Sequence, residues 1–411
     1  MRHVLIVWEL GGNLGHLGRL HLTAQALLAQ GNKVSFAVRN YAAAAPWLTA
    51  RGWHCVQAPL PASDWGTRVP MGHAQWYLCD GFDEPNAVQR LLRQWADVVE
   101  NIQPDALLLD FAPAATYAAH FLQLPYLVTS VGFCVPPYFD KVACFRPWDA
   151  TAQTQAEDAH SYLHTVFKAL RAQLGPGAAT SLAELYPPER VRMCTFAELD
   201  HFEGRTPAAN YLGVLWDEAA LHHSTAWRGL RSQKIFCYLN GHAERITPIL
   251  DMLGTQNHEV IAVVPHLPDH VAQHYRKAHF QLVHESVNLE LLLSDCDAVL
   301  THGGLGLVGQ SLCVGVPVFL LPQQAEQALL ARRLVQQKLG VATFKVKDSL
   351  ELEQKMYATL YDAEVHLAVQ NFALRHQEFS SMQAAQASVS FASIDKAAQR
   401  TASVDRSLSA S

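Results

Sequence analysis

Residues 4–8, VLIVW, form an unbroken apolar run, the pattern of a parallel strand covered on both faces. Glycines at 11, 12, 15 and 18 follow it, residues 20–29 have the spacing of a helix ended by Gly31, and residues 34–38 make a second apolar run. Strand, Gly-rich loop, helix and strand in that order predict the opening of a doubly wound α/β sheet. Residues 107–109, closed by Asp110, predict another strand, residues 114–121 a helix, and residues 126–129 the next strand. Between 53 and 95 the pattern is less regular and rich in aromatic rings.

The rhythm stops between Glu203 and Ser232 and then restarts, with strands expected at 235–239, 260–264, 298–300 and 318–321. The first of these ends at Asn240-Gly241, and the third runs into Thr301-His302-Gly303-Gly304. This predicts two Rossmann-like α/β domains, 1–205 and 233–385, joined by a linker over 206–232. A tail over 386–411 would end frayed in TASVDRSLSAS. Two such sheets facing one another would leave an interdomain cleft, a favoured place for a ligand. The sequence has no clean internal repeat.

Composition narrows the class. A chain of 411 residues exceeds one ordinary core, and 50% hydrophobic with 17% charged residues marks a folded globular protein. A net charge of -6 argues against a nonspecific nucleic-acid binder, which needs a Lys/Arg-rich face. The apolar start is broken at Gly11, too soon for a membrane span, and lacks the small-residue cleavage pattern of a secretory signal. The expected compartment is therefore the cytoplasm. Eight cysteines without a CxxC pair read as buried free thiols, with Cys144, Cys237, Cys296 and Cys313 in apolar or sheet-like surroundings. The 21 histidines include no HExxH motif, so no metal site is expected. Seven of the nine tryptophans lie before residue 150, a bias that suits both core packing and an apolar acceptor pocket in the first domain.

Two loops carry chemistry. In THGGLGLVGQSLCVGVP (301–317) glycines stand directly after a strand, at the mouth of a helix. There a diphosphate can approach the backbone and meet the free N–H groups of the helix start, with His302 able to donate another hydrogen bond. In the first domain His16 follows the first strand and Asp110 ends another strand of the same sheet, so both face the same crevice. A histidine whose tautomer is fixed by a carboxylate is a general base suited to neutral pH.

Thr301-His302-Gly303-Gly304, Gly315-Val316-Pro317 and the stretch from Pro322 to Glu326-Gln327 together resemble the donor-site signature of the family 1 glycosyltransferases. That family has the GT-B fold and includes the bacterial macrolide and flavonoid transferases and the plant UDP-glycosyltransferases. LLLSDCD at 291–297 and Tyr211-Leu212-Gly213 add weaker matches, and Gly15-His16 and Asp110 fall on the family's catalytic pair. The resemblance implies diphosphate binding by His302, Gly303 and Gly304, and contacts from Glu326 and Gln327 to donor-sugar hydroxyls. It also implies His16 as base with Asp110 as its orienter. Gly12, Gly306 and Gln310 complete the candidate donor-binding set. Three positions depart from the family pattern: Leu307 replaces a Ser or Thr, Gln310 replaces a Glu that holds the ribose, and Arg19 replaces a Pro. A lost hydrogen bond to a charged group costs roughly 1.5 to 3 kcal/mol, or about one to two decades in affinity.

The activity implied is inverting, metal-independent transfer of a hexose to a hydroxyl of a small apolar or aromatic acceptor. The nucleotide sugar is the co-substrate, UDP-linked first and TDP-linked second, and no other cofactor is expected. Other classes fit parts of the pattern. A dinucleotide oxidoreductase would use GGNLGHLG, which is not a true GxGxxG, with Arg39 ending the second strand beside a phosphorylated cofactor. A sugar-nucleotide epimerase or hydrolase would share the fold, and a noncatalytic nucleotide or partner binder would explain Leu307 and Gln310.

Overall fold

A computed structural model describes residues 1–9, 15–61, 68–137, 140–205, 209–216, 225–346 and 348–391. It divides into two compact units, each an α/β layer structure. Of the described residues, the first comprises those within 1–196, 202–215 and 380–391, and the second those within 197–201 and 216–379.

The first unit holds a parallel six-stranded sheet built from β1 (His3–Trp8), β2 (Lys33–Val38), β3 (His54–Gln57), β4 (Ala106–Asp110), β5 (Tyr126–Ser130) and β6 (Val191–Met193), in the order β3-β2-β1-β4-β5-β6. The second unit repeats that order with β7 (Gln233–Tyr238), β8 (His258–Val263), β9 (Phe280–Val283), β10 (Ala298–Thr301), β11 (Val318–Leu320) and β12 (Gly340–Ala342), running β9-β8-β7-β10-β11-β12. The apolar runs at 4–8, 107–109 and 126–129 are buried on both faces, as all-parallel strands covered by helices must be. The first core sets Leu5, Val7, Leu107 and Leu109 against Tyr77, Phe82, Trp95, Tyr117 and Phe167, and the second gathers Ile235, Val260, Leu300 and Phe319.

In each sheet the strand order reverses between the first and fourth strands, at β1/β4 and at β7/β10. Ligands of doubly wound folds sit at this switch, beyond the carboxyl ends of the strands. In register, Trp8 pairs with Asp110 and Tyr238 with Thr301, so the loops after these residues leave from the two switch points.

Three sequence expectations change. The helix after β1 runs Gly15–Ala29 and so begins five residues early, which puts His16 in its first turn instead of in a loop. Leu17, Leu20, Ala24 and Leu27 are buried at helical spacing, and an added Cβ on Gly18 would meet nothing, so the glycine does not break the pattern. The strands β3, β6, β9 and β12 went unread. The helix Ser381–Ser388 spans the expected end of the second domain at 385 and packs on the helix Gly15–Ala29 of the first unit. There Thr129 Oγ donates to the Ser388 carbonyl at 3.2 Å. The end of the chain from 392, including TASVDRSLSAS, lies outside the described residues.

All eight cysteines are free thiols, six of them buried. Among the described residues no helix is long and apolar enough to cross a membrane.

Candidate active site

Asp110 is the last residue of β4 and is fully buried. The chain turns sharply after it: Phe111 takes a φ of 41°, uncommon for a non-glycine residue, and its ring packs edge-on against Trp76 at 4.5 Å. The Phe111 carbonyl accepts from Glu9 N–H at 3.2 Å, tying the ends of β1 and β4 together. His16 Nδ1 lies 2.8 Å from Asp110 Oδ2, and its ring stacks on Trp8 with centroids 5.7 Å apart and planes 22° apart. Ser130, at the end of β5, donates its hydroxyl to Asp110 Oδ1. The structure thus joins the two residues that the sequence put at neighbouring strand ends.

A third member was not expected. Arg19, one turn beyond His16, is buried; its Nη2 donates to Asp110 Oδ2 and lies 2.9 Å from His16 Nδ1. Burial alone would push the Asp110 carboxyl up, but the Arg19 and His16 charges hold it well below the ordinary carboxylate range. Gly12 lies outside the described residues.

A second charged cluster sits at the ends of β1 and β2. The Glu9 carboxylate accepts from Ala114 N–H at 2.9 Å and Ala115 N–H at 3.2 Å, at the start of the helix Pro113–Phe121. Burial pushes Glu9 up to about 8, against the Arg39 charge 3.9 Å away. Arg39 itself forks onto Asp80 at 2.9 and 2.8 Å. Its guanidinium is committed within the fold, which takes away the feature that favoured a phosphorylated dinucleotide.

The aromatic residues divide. Tyr77, Phe82 and Trp95 are core, while Trp76, Phe133 and Phe145 cluster with His73 and Phe202. Trp65, Tyr138 and Phe139 lie outside the described residues.

In the second unit, β10 ends at Thr301 and buried His302 follows. His302 Nδ1–H donates to the Leu321 carbonyl at 2.8 Å, which fixes the tautomer and leaves a lone pair on Nε2. The Gln323 amide meets that lone pair at 3.1 Å. Burial pushes the imidazole below its ordinary value, against the Leu321 and Asn240 carbonyls. Neutral His302 therefore presents an acceptor at Nε2, so donating to a diphosphate from that atom would first require a second proton on the ring.

Gly303 has a φ of 97°, a conformation that disfavours any side chain, and a Cβ there would touch Leu320 at 3.4 Å. Gly304 caps the helix Leu305–Cys313 without a side-chain hydrogen bond, and a Cβ on Gly304 or Gly306 would meet nothing within 4 Å. Packing within the protein does not demand these two glycines, and no side chain caps the helix start at which they stand. Leu307 occupies the same first turn, and Gln310 spends its amide on the Gly306 carbonyl at 3.3 Å.

Gln327 Oε1 accepts from Gln323 N–H at 2.9 Å, so His302, Gln323 and Gln327 form one connected edge. Glu326 is partly exposed, 4.0 Å from Nε2 of His201, a buried residue that sequence reasoning missed. His201 carries no signal in the sequence because it joins the second unit through the short segment 197–201. His242 is an exposed residue preceding the helix Ala243–Thr255.

No family model matches the sequence, and no curated protein matches it. Solved structures match across nearly the whole chain. A glycotransferase of kitacinnamycin aligns with a TM-score of 0.67 at 19% identity, over 93% of this chain and 97% of its own. The spinosyn rhamnosyltransferase SpnG, complexed with thymidine diphosphate, aligns at 0.66 and 20% identity, over 93% and 98%. SnogD, a glycosyltransferase from Streptomyces nogalater, aligns at 0.61 and 16% identity, over 93% and 97%. The chain has the two-sheet GT-B fold of these glycosyltransferases.

Proposed function

We propose that this chain transfers a hexose from a nucleoside diphosphate sugar to a hydroxyl of a small, apolar or aromatic acceptor, with inversion at the anomeric carbon. The observation that carries the reading is the 2.8 Å contact between His16 Nδ1 and buried Asp110 at the switch point of the first sheet. With the Nδ1 hydrogen given to Asp110, Nε2 is free to take the acceptor proton. The acceptor oxygen then bonds to the anomeric carbon as its bond to the diphosphate oxygen breaks, and the electron pair leaves with the diphosphate. Gly304, Gly306 and the helix start behind them suit the charge that develops on that leaving group, the role a metal plays in other transferases. Metal independence is part of the proposal. Glu326 and Gln327 offer a carboxylate and an amide for sugar hydroxyls.

SpnG, which shares the fold, is known with thymidine diphosphate, so TDP stands beside UDP as a candidate carrier. Calorimetry with TDP, UDP, GDP and their hexose conjugates in EDTA should find one diphosphate that binds. His16→Ala should keep that affinity while its transfer rate falls by about 10²- to 10⁴-fold. Equal rates in wild type and His16→Ala would reject His16 as the base. A second reading, a noncatalytic binder, draws on Leu307 and on the inward-bonded Gln310 amide; it predicts diphosphate binding without transfer to any acceptor.

A further inference from the structure

Arg19 is the charged group that the His16–Asp110 reading leaves unused. It is buried, its Nε has no hydrogen-bond partner among the described residues, and its Nη2 shares Asp110 Oδ2 with His16 Nδ1. The same Nη2 lies 2.9 Å from Nδ1. Nδ1 cannot donate to the carboxylate and accept from the guanidinium at once. With its hydrogen on Nδ1, the ring gives it to Asp110 and keeps a lone pair on Nε2. With Nδ1 bare, the ring accepts from Arg19 and carries its hydrogen on Nε2, where it cannot act as a base.

Charge acts in the same direction. An imidazolium formed during transfer would meet the Asp110 carboxylate at 2.8 Å and the Arg19 guanidinium at 2.9 Å from the same Nδ1, so Arg19 opposes the carboxylate's help. The other groups around the pair do not restore it. Trp8 stacks on the ring from β1, Ser130 binds Asp110 Oδ1 from β5, and the Cys134 and Cys194 thiols face Arg19 from the segments after β5 and β6. Burial pushes Cys194 up to about 12, so it stays neutral.

We propose that Arg19 is a positioning residue that keeps the His16–Asp110 pair a weak base and so confines transfer to acceptors with an acidic hydroxyl, phenols rather than aliphatic alcohols. The inference rests on the transferase reading. A weak base moves a proton efficiently only from an oxygen that yields it readily, and such an acceptor brings much of the nucleophile's charge with it.

The test uses the full chain, the diphosphate glucose that binds, and three acceptors: 4-nitrophenol, phenol and benzyl alcohol. In wild type kcat/KM should fall about a hundredfold or more from nitrophenol to benzyl alcohol. In Arg19→Met the fall should shrink to less than about tenfold, and the acid limb of kcat/KM should move up by about one pH unit. Arg19→Lys, which keeps the charge, should follow wild type. Wild-type transfer that is indifferent to acceptor acidity overturns the proposal without any variant. So does Arg19→Met with wild-type selectivity and pH limb.

If wild type transfers to none of the three, the transferase reading fails by itself. The Arg19 claim is then read from ¹⁵N-histidine spectra. The His16 signals should move toward the Nδ1–H tautomer in Arg19→Met, or in Arg19→Gln should the methionine variant not fold. Signals unchanged from wild type reject it.

Discussion

His302 enters the second site with its one ring hydrogen committed to the Leu321 carbonyl. If its Nε2 meets a diphosphate, binding must draw a proton from solution. Because burial holds the free imidazole below its ordinary value, the ring is neutral at pH 7 and becomes charged on binding. Diphosphate affinity should therefore rise as pH falls from 8 toward 6, by up to about tenfold per pH unit, and level off below the free-protein value. Calorimetry in buffers of different ionisation heat would register the uptake; affinity flat across that range would place the diphosphate elsewhere. Leu307, in the adjoining helix turn, offers no hydroxyl. Leu307→Ser should tighten diphosphate binding about tenfold, and an unchanged dissociation constant would show that the anion does not reach that turn. At this scale the sequence was legible where a polar residue closed an apolar run, as with Asp110 and His302. It was silent on Arg19 as a partner of Asp110, and on His201 beside Glu326, because those contacts depend on side-chain direction and on a chain excursion, not on spacing.

Among elements, the strands that the apolar pattern missed, β3, β6, β9 and β12, are the four sheet edges. They are three or four residues long, and most are only partly covered, so they lack the unbroken apolar run that marks the interior strands. An edge can still be tightly packed. A Cβ on Gly340, which opens β12 opposite Val318, would lie 2.7 Å from Val318 Cγ2 and 2.8 Å from its carbonyl oxygen. Gly340→Ala should therefore destabilise the second unit by about 1 to 3 kcal/mol. Urea unfolding monitored by circular dichroism would show a lower midpoint, whereas an unmoved midpoint would mean that β12 shifts aside without cost. The early start of the helix Gly15–Ala29 has a related cause: its register is set by Leu17, Leu20, Ala24 and Leu27, and the glycines that suggested a loop do not disturb it.

For the molecule as a whole, acid should act strongly on the first unit. Burial among Trp76, Phe145 and Phe202 pushes His73 down to about 3, with the nearby Arg205 charge adding to the effect. The unfolded chain binds a proton near the ordinary value of 6.5 that the folded chain refuses, so stability is full above 6.5 and is lost as pH falls toward 3. The slope should be about 1.4 kcal/mol per pH unit. His73→Phe should flatten the loss between pH 6.5 and 4.5 in tryptophan-monitored unfolding, whatever it does to stability at pH 7. An identical slope would assign the acid sensitivity to other groups. The double α/β rhythm was readable along the chain, since each sheet has four strands of strong apolar character. The ownership of 197–201 and of 380–391 was not, because a segment's allegiance to a unit is decided by packing at long range.

That divided ownership bears on how the protein is made. A ribosome delivers all six strands of the first sheet by residue 193, yet the helix Ser381–Ser388, which covers the helix Gly15–Ala29, is translated only after the whole second unit. A nascent chain must carry that helix face uncovered through the synthesis of residues 216–379, exposed to chaperones and to its neighbours on the same message.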